Sequence, residues 1–336
     1  MKQVRRIGQI TLLCLCILQT NASAQQETLI AGAKKEGKFL WYASMVVIES
    51  RRLLDAFEKK YPFLKTEVYR ASSDKILNKI SLEARTGQHF FDAVAIEDIE
   101  FGLLPKMAFI SPYESPERRA YLERFKDKNG YWTDTYNNWY SIGYNTRQVR
   151  REEAPKNWED LLLPKWRGKI GLPDTAEIWY GNLMRAMGEK RGREFMQRLA
   201  ANRLEVRRGF THTAELMTAG EFPLAIVRPH RVEKSKAAGA PIDWVRSVDP
   251  ILADMHPIGL SAKPPHPNAA KLFIDYILSK EGQGVMVQLG RISPRPDMDP
   301  PYPALKRDGL NIVPTDPSLS ETFDKIQEEF RRLFEQ

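Results

Sequence analysis

Two basic clusters stand where a chain could grip an anion. Arg228-Pro229-His230-Arg231 follows the apolar run Pro223–Val227, and Arg207-Arg208 precedes the turn Gly209-Phe210-Thr211. A guanidinium offers a planar fork of N–H donors that matches a carboxylate or phosphate, and each charge-assisted bond contributes about 1.5–3 kcal/mol. Arg208, beside the turn, and Arg228 with His230 are the candidates for that work. Thr175 precedes a helical stretch containing Trp179 and could donate to an oxyanion. Glu97 and Asp98 follow the run Phe91–Ile96 and could orient a donor on a bound molecule. Tyr136, Asn138 and Trp139 lie in an aromatic, extended segment and could stack on a ligand or bond to it. The plainer alternatives are helix caps for the acids, surface ion pairs for the arginines and core packing for the rings.

The sequence offers little for catalysis. G-x-S-x-G, H-E-x-x-H and a phosphate-binding loop are missing, and the adjacent acids Glu97 and Asp98 are weak grounds for acid–base chemistry. The histidines, His89, His212, His230, His256 and His266, show no metal-ligand spacing. We expect no catalytic residue, no resident metal and no cofactor. The formal charge is +8. Basic residues are interspersed with acids and form no block, which argues against a nucleic-acid partner.

These groups must be positioned by a chain that begins like an export signal. Lys2, Arg5 and Arg6 precede the apolar run Ile10–Leu18, and Ala22-Ser23-Ala24 reads as a cleavage site. Residues 1–24 are therefore expected to be a signal peptide, removed on export to the periplasm. Removal leaves 48 Lys and Arg against 43 Asp and Glu and takes away both cysteines, Cys14 and Cys16. The remainder then has no thiol for a disulfide or a nucleophile. No later apolar run approaches the roughly 20 residues of a membrane helix, so no stable membrane insertion is expected.

Strand and helix periodicities alternate from there. Lys38–Tyr42 reads as a buried strand. A helix with Leu53, Leu54, Phe57 and Tyr61 on one face follows, stopped by Pro62. Thr66–Tyr69 is a strand, Ile76, Leu77, Ile80 and Ala84 mark a helix, and Phe91–Ile96 is a third strand. That order predicts a parallel sheet with helices on its faces. Tyr131–Arg147 reads as an extended crossing into a second α/β stretch, and the chain returns near Asp249–Pro257. Short helical signals span Pro155–Pro164. Asn268 and Ser279 read as helix caps, and Ser318 with Glu321 as a capping box for a last helix burying Phe323, Ile326, Phe330 and Leu333.

Four segments carry a family resemblance: Phe39–Ser44; Ile142–Thr146 followed by Pro155–Leu161; Leu163–Gly171, with its P-K-W-R-G-K-I; and Asn268–Gly290. In order and spacing the chain resembles the type II periplasmic solute-binding proteins of ABC transporters, in their iron(III)-type branch. The resemblance implies an α/β, two-lobed fold with hinge crossings and an interdomain cleft. It implies a first lobe from 25–136 and 255–290, a second from 137–254, and a C-terminal wrap and helix over 291–336. A small-molecule solute would close the lobes, and an inner-membrane ABC permease would receive it from a monomeric receptor. Ser44, at the end of the first strand, would face the cleft. Ferric-ion-binding members place two adjacent tyrosines near the second lobe's strand end, where this chain has Arg228-Pro229-His230-Arg231. An anionic solute, or a metal–anion complex, is therefore expected. The alternatives are a ferric-iron transport protein and, from another class, a secreted enzyme on the same fold.

Overall fold

The computed structural model describes residues 26–335. The expected signal segment, with Cys14 and Cys16, lies outside the described residues. A helix over 26–36 (α1) leads into β1 (Lys38–Ala43), α2 (Val47–Lys60), β2 (Lys65–Arg70), α3 (Ser73–Arg85) and β3 (Ala93–Ala95). Helix α2 buries Leu53, Leu54 and Phe57 on one face and ends ahead of Pro62, which cannot continue a helix. Strand β1 pairs in parallel with both β2 and β3, Trp41 lying opposite Val68 on one side and Ala93 on the other. The predicted parallel unit is therefore present.

After α4 (Asp98–Phe101) and β4 (Ile110–Ser111) comes β5 (Thr133–Asn145), buried along its whole length. The second α/β stretch comprises β6 (Ile170–Pro173), α5 (Glu177–Ala186), α6 (Glu189–Ala201), β7 (Glu205–Arg207), α7 (Gly209–Ala219), β8 (Leu224–Val227), α8 (Pro229–Ala237) and β9 (Ile242–Trp244). Strand β10 (Ile251–Ser261) runs back antiparallel along β5, with Leu252 opposite Tyr140 and Ile258 opposite Thr133. Helices α9 (Pro267–Leu278) and α10 (Lys280–Gln288), strand β11 (Ile312–Pro314) and helix α11 (Phe323–Phe334) complete the chain.

The strand order β2-β1-β3-β10-β5-β8-β6-β7 makes two sheet halves that meet at β5 and β10. Each half has its own apolar core. In the first, Phe273 of α9 packs against Phe39 (4.5 Å), Trp41 (5.1 Å) and Phe57 (5.2 Å). In the second, Trp158, Trp179, Leu172 and Ile226 are wholly buried. The end of the chain lies with the second half: β11 pairs with β10 at Ile251–Ala253, and Phe330 of α11 meets Tyr180 of α5 at 5.9 Å, whereas Arg291 and Arg295 ahead of them bond to Glu49 and Glu117 of the first half.

Three local expectations need correction. Asn268 is not the cap of α9; His266 holds that position, and the Asn268 amide donates to Glu36 instead (2.6 Å). Ser318 and Glu321 lie in a 3-10 turn capped by Asp316, whose carboxylate accepts the Ser318 N–H (2.9 Å), and α11 starts later at Phe323. An acid just before the turn competes better for its free N–H groups than the serine two residues on. The 155–164 stretch yields a 3-10 turn over Trp158–Leu162, capped by Asn157. The cap at Ser279 is present, its hydroxyl accepting the Gly282 N–H at 3.2 Å.

Phe273 touches three aromatic rings from β1 and α2, so its removal leaves a cavity that backbone relaxation cannot fill. Phe273→Ala is expected to lower unfolding stability by about 3–5 kcal/mol, read from urea denaturation midpoints.

Candidate solute-binding site

The two crossing strands bury acids where an apolar core would be simplest. Asp254 of β10 is fully buried and accepts the Asn138 N–H (3.2 Å), the Tyr140 hydroxyl (2.6 Å) and the Arg228 guanidinium (2.9 Å). Asp134 of β5 accepts the His256 N–H (2.8 Å) and the Asn137 amide (3.1 Å). Asp98, at the start of α4, accepts the Met255 N–H (2.6 Å). These carboxylates fix the crossings through backbone groups. Burial dominates the titration of Asp134 and Asp98. It pushes Asp134 up to about 8, and burial with nearby Asp254 raises Asp98 well above the usual range.

Arg228 caps α8 directly after β8 and lies over the Phe210 ring (4.7 Å) and the Tyr140 ring (5.5 Å). Burial opposes its charge, but Asp254, Tyr140 and Glu97 outweigh that and hold it firmly protonated. His230 and Arg231 follow on the first turn of α8. His230 is 8% exposed, and burial followed by Arg231, Arg291 and Arg228 holds its protonation well below the ordinary histidine range.

The first lobe answers from the other side. Arg291, just beyond α10, pairs with Glu49 in the first turn of α2 (2.6 and 2.9 Å) and lies 4.6 Å above the Tyr136 ring. Tyr136 stacks on His256 at 4.0 Å, and His256 Nε2 is 3.8 Å from the Glu97 carboxylate. Glu97 keeps 39% of its side chain accessible, and burial is the largest influence on its acidity. His256, and then Arg228, overcome that burial and lower it. Among the described residues, Arg228 Nε, Arg231 Nε, His230 Nδ1 and His256 Nδ1 are buried without a hydrogen-bond partner.

Of the sequence-derived candidates, Glu97, Tyr136, Arg228 and His230 therefore meet in one place. Ser44 is half-buried, its N–H donating to Ala95 (3.0 Å), on the loop that leads to Glu49. Asp98 is directed at the crossing strand, and Asn138 uses its backbone N–H there while its Oδ1 has no partner among the described residues. Trp139 is wholly buried, its indole N–H bound by Asn137 (2.8 Å), and Trp179 is core packed on Trp158 (5.7 Å). Neither ring is available to a solute. Both are large apolar surfaces at core-facing positions of their elements, and packing claims them. Thr175 and Arg208 stand exposed at the same strand-end edge as Arg228, outside the buried cluster. Glu49, His256 and Arg291 were missed, and Arg231 was read only as part of the basic run after β8. The one available signal was Asp254 and His256 interrupting the apolar run of β10, since polar groups in a buried strand need partners.

Two lobes sharing a pair of crossing strands, with basic and imidazole groups from both facing one seam, define a receptor that encloses a small molecule between its halves. The chain belongs to the bacterial extracellular solute-binding proteins, whose family pattern matches residues 88–312. An uncharacterized protein of Haemophilus influenzae is 25% identical over 270 residues, 75% of each chain. Iron-bound HitA from Pseudomonas aeruginosa has the same type II periplasmic-binding fold, with a TM-score of 0.76 and 16% identity over 87% of this chain and 99% of that one. AfuA from Actinobacillus pleuropneumoniae, determined with exogenous fructose-6-phosphate bound, gives 0.72 and 21% over 89% and 99%. No helix among the described residues is long and apolar enough to cross a membrane.

Asp134 sets a pH dependence of stability. Its folded-state pKa is raised, so its contribution is complete below about pH 4 and is lost as the pH climbs through about 8. Asp134→Asn has no proton to lose. Its stability relative to the parent is expected to rise steadily between pH 4 and 8 in urea unfolding, and a constant difference would show that Asp134 titrates normally.

Proposed function

We propose that the protein is the periplasmic receptor of an ABC importer and that its solute is a small organic anion, a phosphate ester or a carboxylate. The observation that carries this reading is the set of four unpartnered nitrogens on Arg228, Arg231, His230 and His256. An unmade bond at a buried polar group costs about 1–3 kcal/mol, and an anion offering several acceptor oxygens would recover it. Arg228 and Arg291 already have acidic partners in Asp254 and Glu49. Arg231 has no carboxylate at ion-pair distance among the described residues, which leaves its charge for the guest. Glu97, on the opposite lobe, would take a hydroxyl or ammonium donor of the same molecule.

A solute touching both lobes favours the closed state, because only differential contacts can shift a conformational equilibrium. The hinge would lie at Tyr136–Asn138 and Asp254–Met255, dividing 25–136 and 255–290 from 137–254. Residues 1–24 would direct export, and an inner-membrane permease would accept the closed, monomeric complex. The receptor would bind its cargo without converting it.

A bare ferric ion suits this site poorly. Three guanidinium groups repel a trivalent cation, and the described residues hold no cluster of three His, Cys, Asp or Glu able to ligate a metal. The relative solved with fructose-6-phosphate makes that compound a reasonable first probe.

Calorimetry with fructose 6-phosphate, inorganic phosphate, citrate and ferric citrate tests the reading. Arg231→Ala is expected to weaken anion binding by about 10- to 100-fold, the loss of one charged hydrogen bond, with the fold retained. Arg231 variants that bind every anion like the parent would exclude the anionic solute. An intense visible absorption band on adding ferric citrate would instead favour tyrosinate–iron ligation.

A further inference from the structure

We infer that solute capture takes up a proton at His230, so that the receptor binds its anion more tightly as the medium becomes more acidic. This rests on the anionic reading of the cleft and adds to it the residue that senses charge.

The geometry sets His230 apart. It is the second residue of α8, at the helix end where unpaired N–H groups already place partial positive charge. It is 8% exposed, and its Nδ1 has no partner among the described residues. Arg228 and Arg231 flank it on its own helix, Arg291 acts from beyond α10, and His256 acts from β10. Other charged or titratable groups around this cluster are Glu49 of α2, Tyr136 and Tyr140 of β5 and Glu97 ahead of α4. Glu49 is engaged with Arg291, and Glu97 lies beside His256. Behind them, Asp254 and Asp98 serve Arg228 and the Met255 N–H.

Without a guest, burial and three guanidinium groups all oppose a further positive charge, and the imidazole is neutral. A phosphoryl group near neutral pH carries about −1.5 to −2 charge and three acceptor oxygens. Placed against Arg228 and Arg231, it offsets the charges that exclude the proton. It also supplies an acceptor for an imidazolium N–H. The energetic preference at His230 then reverses, and a proton moves from solvent to the ring, with no bond broken in the solute. By linkage, one proton taken up per binding event strengthens binding by about tenfold for each unit of falling pH. The gain ends near pH 6, where a phosphate ester itself becomes protonated.

The test is isothermal titration calorimetry of the exported protein at pH 8, in buffers of different ionisation enthalpy, with fructose 6-phosphate, inorganic phosphate and citrate in turn. The parent is expected to take up about one proton per bound anion. His230→Gln, which keeps a donor but cannot titrate, is expected to lose most of the uptake and to show a flattened pH dependence of anion affinity between about 7 and 8.5. As a readout that needs no variant, NMR of histidine-labelled parent should show one ring passing from neutral to protonated on addition of the anion. An absence of uptake in the parent would overturn the proposal. So would undiminished uptake in His230→Gln, which would assign the proton to the solute or to a buried acid, Asp134 or Asp98. Failure of all three anions to bind would instead sink the anionic reading itself.

Discussion

Asp254 is a carboxylate without access to solvent, and a charge so placed persists only when it is paired and fully hydrogen-bonded. Its partners come from three directions: the β5 backbone at Asn138, the Tyr140 hydroxyl and the Arg228 guanidinium. The first two lock the crossing strands in register. The third ties the strand-end loop of the second lobe to the same point. The proposed hinge and binding surface would therefore share one electrostatic anchor, and the position of Arg228 depends on it.

The anchor also bears on how the proposed site would receive a guest. Arg228 gives one edge of its guanidinium to Asp254 and leaves Nε unpaired. Arg291 is held over Tyr136 by Glu49, while Arg231 lacks such a partner among the described residues. Ion pairs orient two of the cations, and the third supplies uncompensated charge. Side chains held this way lose little conformational freedom when a ligand arrives, which is how pre-organisation becomes affinity.

The same backbone serves different cargo elsewhere, since one relative was solved with iron and another with fructose-6-phosphate. Fold alone does not choose between them. The proposed choice rests on the donor set at the seam, whose guanidinium and imidazole nitrogens suit oxygen-rich anions. The crossing strands carry their buried acids on backbone N–H groups, so those acids serve the hinge.

Much of the first lobe was legible in the sequence because its signals are local. Periodicity marked β1, α2, β2, α3 and β3, and their order dictated parallel pairing. Glu97, Arg228 and His230 were picked out for a related reason: residues just past a strand's carboxyl end lie at the ligand edge of an open α/β sheet. Trp139 and Trp179 were misread because strand and helix patterns do not say which neighbour claims a ring, and here the core did. The expected box at Ser318 and Glu321 failed because Asp316 competes for the same N–H groups. Read alone, the chain determined the class of fold, the order of its elements and the basic character of one strand end. Only the tertiary structure brought Glu49, His256 and Arg291 to Arg228 and Arg231, and paired Glu49 with Arg291 across 242 residues of sequence. Such convergence depends on how the two lobes pack across the crossing strands, and no local spacing encodes it.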